Sequence, residues 1–302
     1  MSLSEDLRNE LAAIAPRQEC DRLAELSGLF HAAGSVHLRG RGEVAVHLDL
    51  ASSAVARRAF SLLRAFGVEA EIRTYRRRAF DRATRYQLHV AGGARALQVL
   101  HEAGVLTARL APLERPPKRV VARASCRAAY LRGALLGGGS LSGPRSRHLE
   151  LRASTVAGAE FLAGVAAAEG VTLAVADRGR YAAAYAKGAE AIADTLAAAG
   201  ASDAVLALEE RAVLGATRAG ANRLANADHA NLVRTSRAAH AQLRALRRLD
   251  LDELPPTLRE IAELRLRHPT LPLRELALKC EPPATKSAAH RRLRKLVRLA
   301  DL

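Results

Sequence analysis

The sequence predicts an α+β chain: a tandem repeat of the pattern αββαββα, followed by an all-α helix-turn-helix domain. Three observations predict it. Residues 26–34, LSGLFHAAG, and residues 131–139, LRGALLGGG, are near-copies at an offset of 105 residues. After each copy, extended and helical stretches recur in the same order at nearly the same spacing. From residue 209 onward that alternation stops, and helical patterns with short proline-marked breaks take over.

The elements follow in order. In the first copy the motif helix leads into an extended stretch, Val44-Ala45-Val46-His47-Leu48, and residues 148–152 play that part in the second. A helix over 53–66 is closed by Gly67, and one over 155–169 by Gly170. A glycine just past the last turn takes the left-handed conformation that ends a helix. Strands over 68–75 and 85–90 are matched by 171–176 and 180–185, with Arg85-Tyr86 and Arg180-Tyr181 opening the fourth strands. Helices over 94–103 and 189–199 finish the halves before Gly104 and Gly200. The chain thus divides into a first repeat (1–118), a second repeat (119–208), a basic helical connector (209–250) and a helix-turn-helix domain (251–302).

In that last domain Pro255-Pro256 starts a helix over 257–267, ended by His268-Pro269. A second short helix over 271–279 has Leu273, Leu276 and Ala277 on its apolar side, and Glu281-Pro282-Pro283 breaks it. Thr285 is the N-cap of a third helix running to residue 300. On a wheel, Ala289, Leu293, Leu296 and Ala300 fall within about 60° of one another, with Ser287, Arg291, Arg294 and Arg298 opposite. The last helix of such a unit enters the major groove by its N-terminal half. Lys286, Ser287, His290 and Arg291 are the candidates for base edges; Arg292, Arg294, Lys295 and Arg298 are candidates for phosphates.

Composition bounds the partners. A chain of 302 residues suits two or three domains of roughly 100–200 residues each. A hydrophobic fraction of 49% supplies a core and excludes general disorder. No uncharged apolar run approaches the roughly 20 residues of a membrane span. Glu5, Asp6, Arg8 and Glu10 interrupt the N-terminus where a signal peptide needs an apolar core. The expectation is a cytoplasmic, nucleoid-associated protein with no membrane partner. Lys and Arg number 47 against 31 Asp and Glu, a formal charge of +16. Such a charge attracts polyanions. The basic residues cluster at 73–85, 211–248 and 284–300, which favours nucleic acid, because each phosphate neutralised releases condensed counterions; the helix-turn-helix makes double-stranded DNA the expected partner. Cys20, Cys126 and Cys280 are too far apart for the close-set pairs of a zinc site, and read as small packed residues. No metal and no cofactor is expected.

The two near-copies resemble the paired motif helices of single-chain LAGLIDADG homing endonucleases, so the resemblance implies a LAGLIDADG-like repeat domain with two saddle-shaped sheets that lie over DNA. The loop Arg76-Arg77-Arg78 would then sit at phosphates, with Asp177-Arg178-Gly179-Arg180 as its weaker counterpart. Nucleases of this class carry an acid at the eighth motif position of each copy to hold divalent metals. Here those positions are Ala33 and Gly138, and the sixth positions are His31 and Leu136. Neither a methyl group nor a hydrogen binds Mg²⁺. Asp21 and Glu25 are the conceivable substitutes in the first copy; nothing acidic lies between Arg123 and Arg147 in the second. His31 and His37 read as packed or surface residues before they read as metal ligands. No catalytic residue is therefore assigned.

The whole chain resembles the WhiA family, which fuses a degenerate LAGLIDADG domain to a C-terminal helix-turn-helix. Residues 126–139 (CRAAYLRGALLGGG), 222–235 (NRLANADHANLVRT), 258–269 (LREIAELRLRHP) and 285–296 (TKSAAHRRLRKL) carry the resemblance. The second of these places Arg223 and Arg234 in a basic connector, as further phosphate contacts. The family has Asn where His290 stands and His where Arg291 stands. What the resemblance implies is a DNA-binding regulator of cell division and chromosome segregation. In sporulating actinobacteria it implies control of sporulation septation, with a WhiB-like iron–sulfur regulator as partner. The competing readings are an architectural nucleoid protein and an active nuclease.

Overall fold

A computed structural model describes residues 3–38, 44–76, 83–142 and 147–301. The chain divides into two compact units, Met1–Gly215 and Ala216–Leu302.

The first unit holds two matching halves. In one, α2 (Glu19–Ala33) is followed by β1 (Gly34–Leu38), β2 (Val44–Leu50), α3 (Ser53–Ala65), β3 (Ala70–Arg76), β4 (Thr84–Ala91) and α4 (Ala94–Glu102). In the other, α5 (Ala124–Gly138) is followed by β5 (Gly139–Leu141), β6 (His148–Ala153), α6 (Val156–Ala167), β7 (Ala174–Asp177), β8 (Ala182–Lys187) and α7 (Ala189–Ala199). Both sheets are antiparallel and share one topology, β1-β2-β4-β3 and β5-β6-β8-β7. The two central strands of each sheet, β2 and β4 and β6 and β8, turn apolar side chains inside. Val44, Val46, Leu48, Leu50, Leu88 and Val90 are buried from the first sheet, and Leu149, Leu151, Ala153, Ala182, Ala184 and Ala186 from the second.

Between these faces α2 and α5 pack against each other, and both touch β2 and β6. Their approach is close enough to require glycine. A Cβ on Gly28 would sit 2.2 Å from the Tyr130 carbonyl oxygen, and one on Gly133 would sit 2.1 Å from that of Glu25.

The strands after α3 and α6 begin later than the sequence pattern suggests, for an identifiable reason. Val68 N–H donates back to the Leu63 carbonyl, and Val171 N–H to that of Ala166, each at 3.0 Å. Gly67 and Gly170 have φ of +71° and +80°. These bonds belong to the helix terminus, so the valines close helices and do not open strands. The sequence pattern also passes over α1 (Leu3–Ala13), which buries only Leu7 and Leu11, and a 3₁₀ turn at Lys118–Val121.

The connector, helical by its sequence pattern, lies within a single helix, α8 (Ser202–Leu246), that starts earlier than residue 209. Glu10 caps its start: Asp203 and Ala204 N–H donate to the two carboxylate oxygens at 2.7 and 2.9 Å, placing negative charge at the positive end of the helix. The second unit ends in α9 (Pro256–Arg267), α10 (Leu273–Leu278) and α11 (Lys286–Ala300). Leu258, Ile261, Ala262, Leu276, Ala277, Cys280, Ala289, Leu293 and Leu296 form their core together with Leu246. No helix among the described residues is long and apolar enough to cross a membrane.

Candidate nucleic-acid interface

The Thr285 hydroxyl accepts from Ala288 N–H at 3.1 Å, so α11 starts at a capped turn. Ala289, Leu293 and Leu296 are fully buried, and Ala300 is half-buried. Thr285, Lys286, Ser287, His290, Arg291, Arg294, Lys295 and Arg298 are exposed. Among the described residues no carboxylate pairs with the cations of that group. Arg292 differs: it is half-buried and its guanidinium lies 3.8 Å from Glu260 on α9. Its charge is partly used inside the domain. Sequence reasoning also missed Arg265, which is 2% exposed. It donates to the Leu271 carbonyl at 2.7 Å, tying α9 to the turn before α10, and burial lowers its pKa.

The second half of α8 lies beside this unit. Arg234, Thr235 and His240 from α8, with Lys286, Ser287, His290 and Arg291 from α11, line one groove of about 1060 Å³. Arg223 is exposed further along α8. The groove thus joins one connector arginine to all four residues selected for base edges.

The outer faces of the two sheets carry a different electrostatic pattern. Arg85 donates to Asp49 at 3.1 Å, and Arg73 pairs with Glu71 at 2.7 Å. On the second sheet Glu150, 8% exposed, gathers His148, Arg152 and Arg178 at 3.3, 3.5 and 3.6 Å. Burial alone would raise the Glu150 pKa, yet hydrogen bonds from His148 and Tyr181 and the two arginine charges hold it below the ordinary carboxylate value. Arg76 is exposed at the end of β3. Arg77 and Arg78 lie outside the described residues.

At the C-terminal ends of α2 and α5, where a nuclease would hold its metals, stand Ala33 and Gly138. A Cβ on Gly138 would meet the Cβ atoms of Arg152 and Ala32 at 3.1 and 3.3 Å. Glu25 does not act as a substitute acid. It is fully buried and bound by Arg58 at 2.7 Å and Arg132 at 3.0 Å. His31 Nδ1 lies 2.8 Å from the Ser27 carbonyl, and burial lowers its pKa. His37 packs edge-on to His47, with ring centroids 4.8 Å apart. Asp21 lies at the opposite end of the helix pair, with Cys20 and Cys126. Among the described residues these three form a convergent group, one ligand atom from each within 4.8 Å of the others. Close spacing in sequence could not reveal it. The repeat offset could have, since 105 residues beyond Asp21 is Cys126.

Comparison with known proteins covers the chain end to end. The WhiA N-terminal LAGLIDADG-like domain matches residues 19–106, the WhiA LAGLIDADG-like domain residues 127–218, and the WhiA C-terminal HTH domain residues 221–300. The probable cell division protein WhiA of Heliobacterium modesticaldum is 36% identical over 307 residues, covering 100% of this chain and 96% of the relative. That of Symbiobacterium thermophilum is 34% identical over 309 residues, covering 100% and 98%. The crystal structure of full-length WhiA from Thermatoga maritima is similar with a TM-score of 0.58 at 22% identity, covering 100% of this chain and 98% of that one. A structure of the N-terminal LAGLIDADG domain of WhiA gives a TM-score of 0.52 at 18% identity, covering 66% and 90%.

Proposed function

This chain belongs to the WhiA family, and from that premise we propose that it is a non-catalytic, sequence-specific binder of double-stranded DNA that regulates transcription of cell-division and chromosome-segregation genes. One observation carries the reading: α11 backs a buried stripe and turns outward a row of cations that no carboxylate neutralises among the described residues. Lys286, Ser287, His290 and Arg291 read base edges from the major groove. Arg294, Lys295 and Arg298 contact phosphates, as do Arg223 and Arg234 from α8; Thr285 fixes the first turn of the reading helix. Arg292 orients α11 against α9 through Glu260. Phosphate contacts set register and base contacts set sequence.

The repeat domain serves as a clamp or protein-docking surface. In this division of labour residues 1–118 and 119–208 are its two halves, 209–250 the connector and 251–302 the reader. Ala33 and Gly138 support the absence of cleavage: supercoiled plasmid incubated with Mg²⁺ or Mn²⁺ should persist. In a sporulating actinobacterium the same reading extends to septation genes, to a WhiB-like iron–sulfur partner, and to a position on the cytoplasmic nucleoid.

The test is chromatin immunoprecipitation with sequencing, wild type against Arg291→Ala. The variant should lose about 1–3 kcal/mol at cognate sites and relax preference at one base position. A broad coat of occupancy without sharp peaks, unchanged by the substitution, would identify an architectural protein instead. Neutralising Arg76, Arg77 and Arg78 together should flatten the salt dependence of binding if that loop meets phosphates; an unchanged slope assigns it to a protein partner.

A further inference from the structure

Cys20, Asp21 and Cys126 converge where the motif helices begin. Cys20 and Asp21 lie in the first turn of α2, and Cys126 in the first turn of α5. The offset that matches Leu26 with Leu131 matches Asp21 with Cys126, so two of the three are mates in the duplication. Asp21 is 8% and Cys126 2% exposed, whereas Cys20 is partly exposed and gives access from solvent. Cys20 Sγ lies 3.8 Å from Asp21 Oδ1, and its thiol donates toward Gln18 Oε1 at 3.5 Å. Arg123 donates toward Cys20 Sγ at 3.9 Å and to Gln18 Oε1 at 3.3 Å.

The chemistry of this cluster is that of a cation site. Neither helix start has a side-chain cap, so the positive ends of both helix dipoles face the cluster. Three groups that are anionic when deprotonated crowd one place, and a divalent ion resolves the conflict by displacing the two thiol protons to solvent. Two thiolates, one carboxylate and one Zn²⁺ leave a single negative charge, which Arg123 faces. Zn–S bonds of about 2.3 Å in a tetrahedron put the sulfurs roughly 3.7 Å apart. The observed separations, within 4.8 Å, need to close by about an ångström at most.

We propose that Cys20, Asp21 and Cys126 form a zinc site that staples the two halves of the repeat domain, with water as the fourth ligand. It lies roughly 20 Å along the helices from Ala33 and Gly138, and so is distinct from the positions a nuclease uses for catalytic metals.

The experiment titrates the full-length, reduced, metal-free chain with Zn²⁺ against a chromogenic chelator, and with Co²⁺ while recording near-ultraviolet sulfur-to-cobalt charge transfer. Wild type should bind one equivalent and show the absorption. Removing a partner of a ligand costs about 10–100-fold in affinity, so Cys20→Ser, which removes a ligand, should cost at least that much and shift the absorption. Asp21→Asn should weaken binding in the same direction, and Cys280→Ser should leave it unchanged. Zinc should raise the melting temperature of wild type and not that of Cys20→Ser. Because Cys20 is partly exposed, that variant decides the question even if Cys126→Ser fails to fold. No stoichiometric uptake by natively folded wild type, equal uptake by Cys20→Ser, or a Cys20–Cys126 disulfide that persists in reductant and takes up no metal would each overturn the proposal.

Discussion

The sheets of the repeat domain and the outer face of α11 are both rich in arginine, yet they use it differently. On the sheets Arg73, Arg85, Arg152 and Arg178 each face a carboxylate. On α11, Arg291, Arg294 and Arg298 face solvent. A count of basic residues along the chain treats these as equal. Their partners show that much of the sheet charge is used within the sheets, while the α11 charge remains available to an external anion. Inside the repeat domain the contrast is sharper still, since Arg58 and Arg132 are almost fully withdrawn from water around Glu25.

The largest expected effect tests this inner use of charge. Glu25→Ala strands two buried guanidinium groups, and should lower the unfolding free energy by about 3–5 kcal/mol in urea titrations. A loss below about 1 kcal/mol would mean that both arginines reach water. Next comes the outer use: Arg294→Gln with Arg298→Gln should reduce the slope of log affinity against log salt by about 1.8, whereas Arg85→Gln should leave the slope unchanged. Equal effects from both would erase the distinction between the two regions.

A smaller effect concerns pH. Burial depresses the His31 pKa below its ordinary 6.5. The unfolded chain therefore binds the proton more tightly. The stability this contributes is present above about 6.5 and is lost as pH falls toward the folded value. His31→Leu should remove that decline in melting temperature. The smallest effect belongs to Arg85→Ala, which breaks a partly exposed pair and should cost at most about 1 kcal/mol of stability.

Much of the architecture was legible because it is written in local chemistry. Gly67, Gly170 and Gly200 marked helix ends, and the stripe Ala289, Leu293 and Leu296 marked the buried side of α11. What escaped was pairing at long range. Nothing near Glu25 announces that Arg132, 107 residues away, will bind it. The sequence therefore leaves the first-copy acids open as conceivable substitutes for cleavage carboxylates, whereas one is enclosed by arginines and the other sits at the opposite end of its helix. The convergence of Cys20, Asp21 and Cys126 escaped for a related reason: ligand spacing is informative within one loop, but a duplication brings together residues a whole repeat apart. The helix start of α8 escaped because Glu10, which caps it, lies 193 residues upstream of Asp203.

The mutual approach at Gly28 and Gly133 has an evolutionary corollary. Where each helix's backbone occupies the space a neighbour's side chain would need, neither half owns a complete surface there. Were the gene cut between the repeats, each product would carry a notched helix flank shaped for its counterpart. The products should then be recovered as a mated pair, since each half carries the backbone that fills the other's notch.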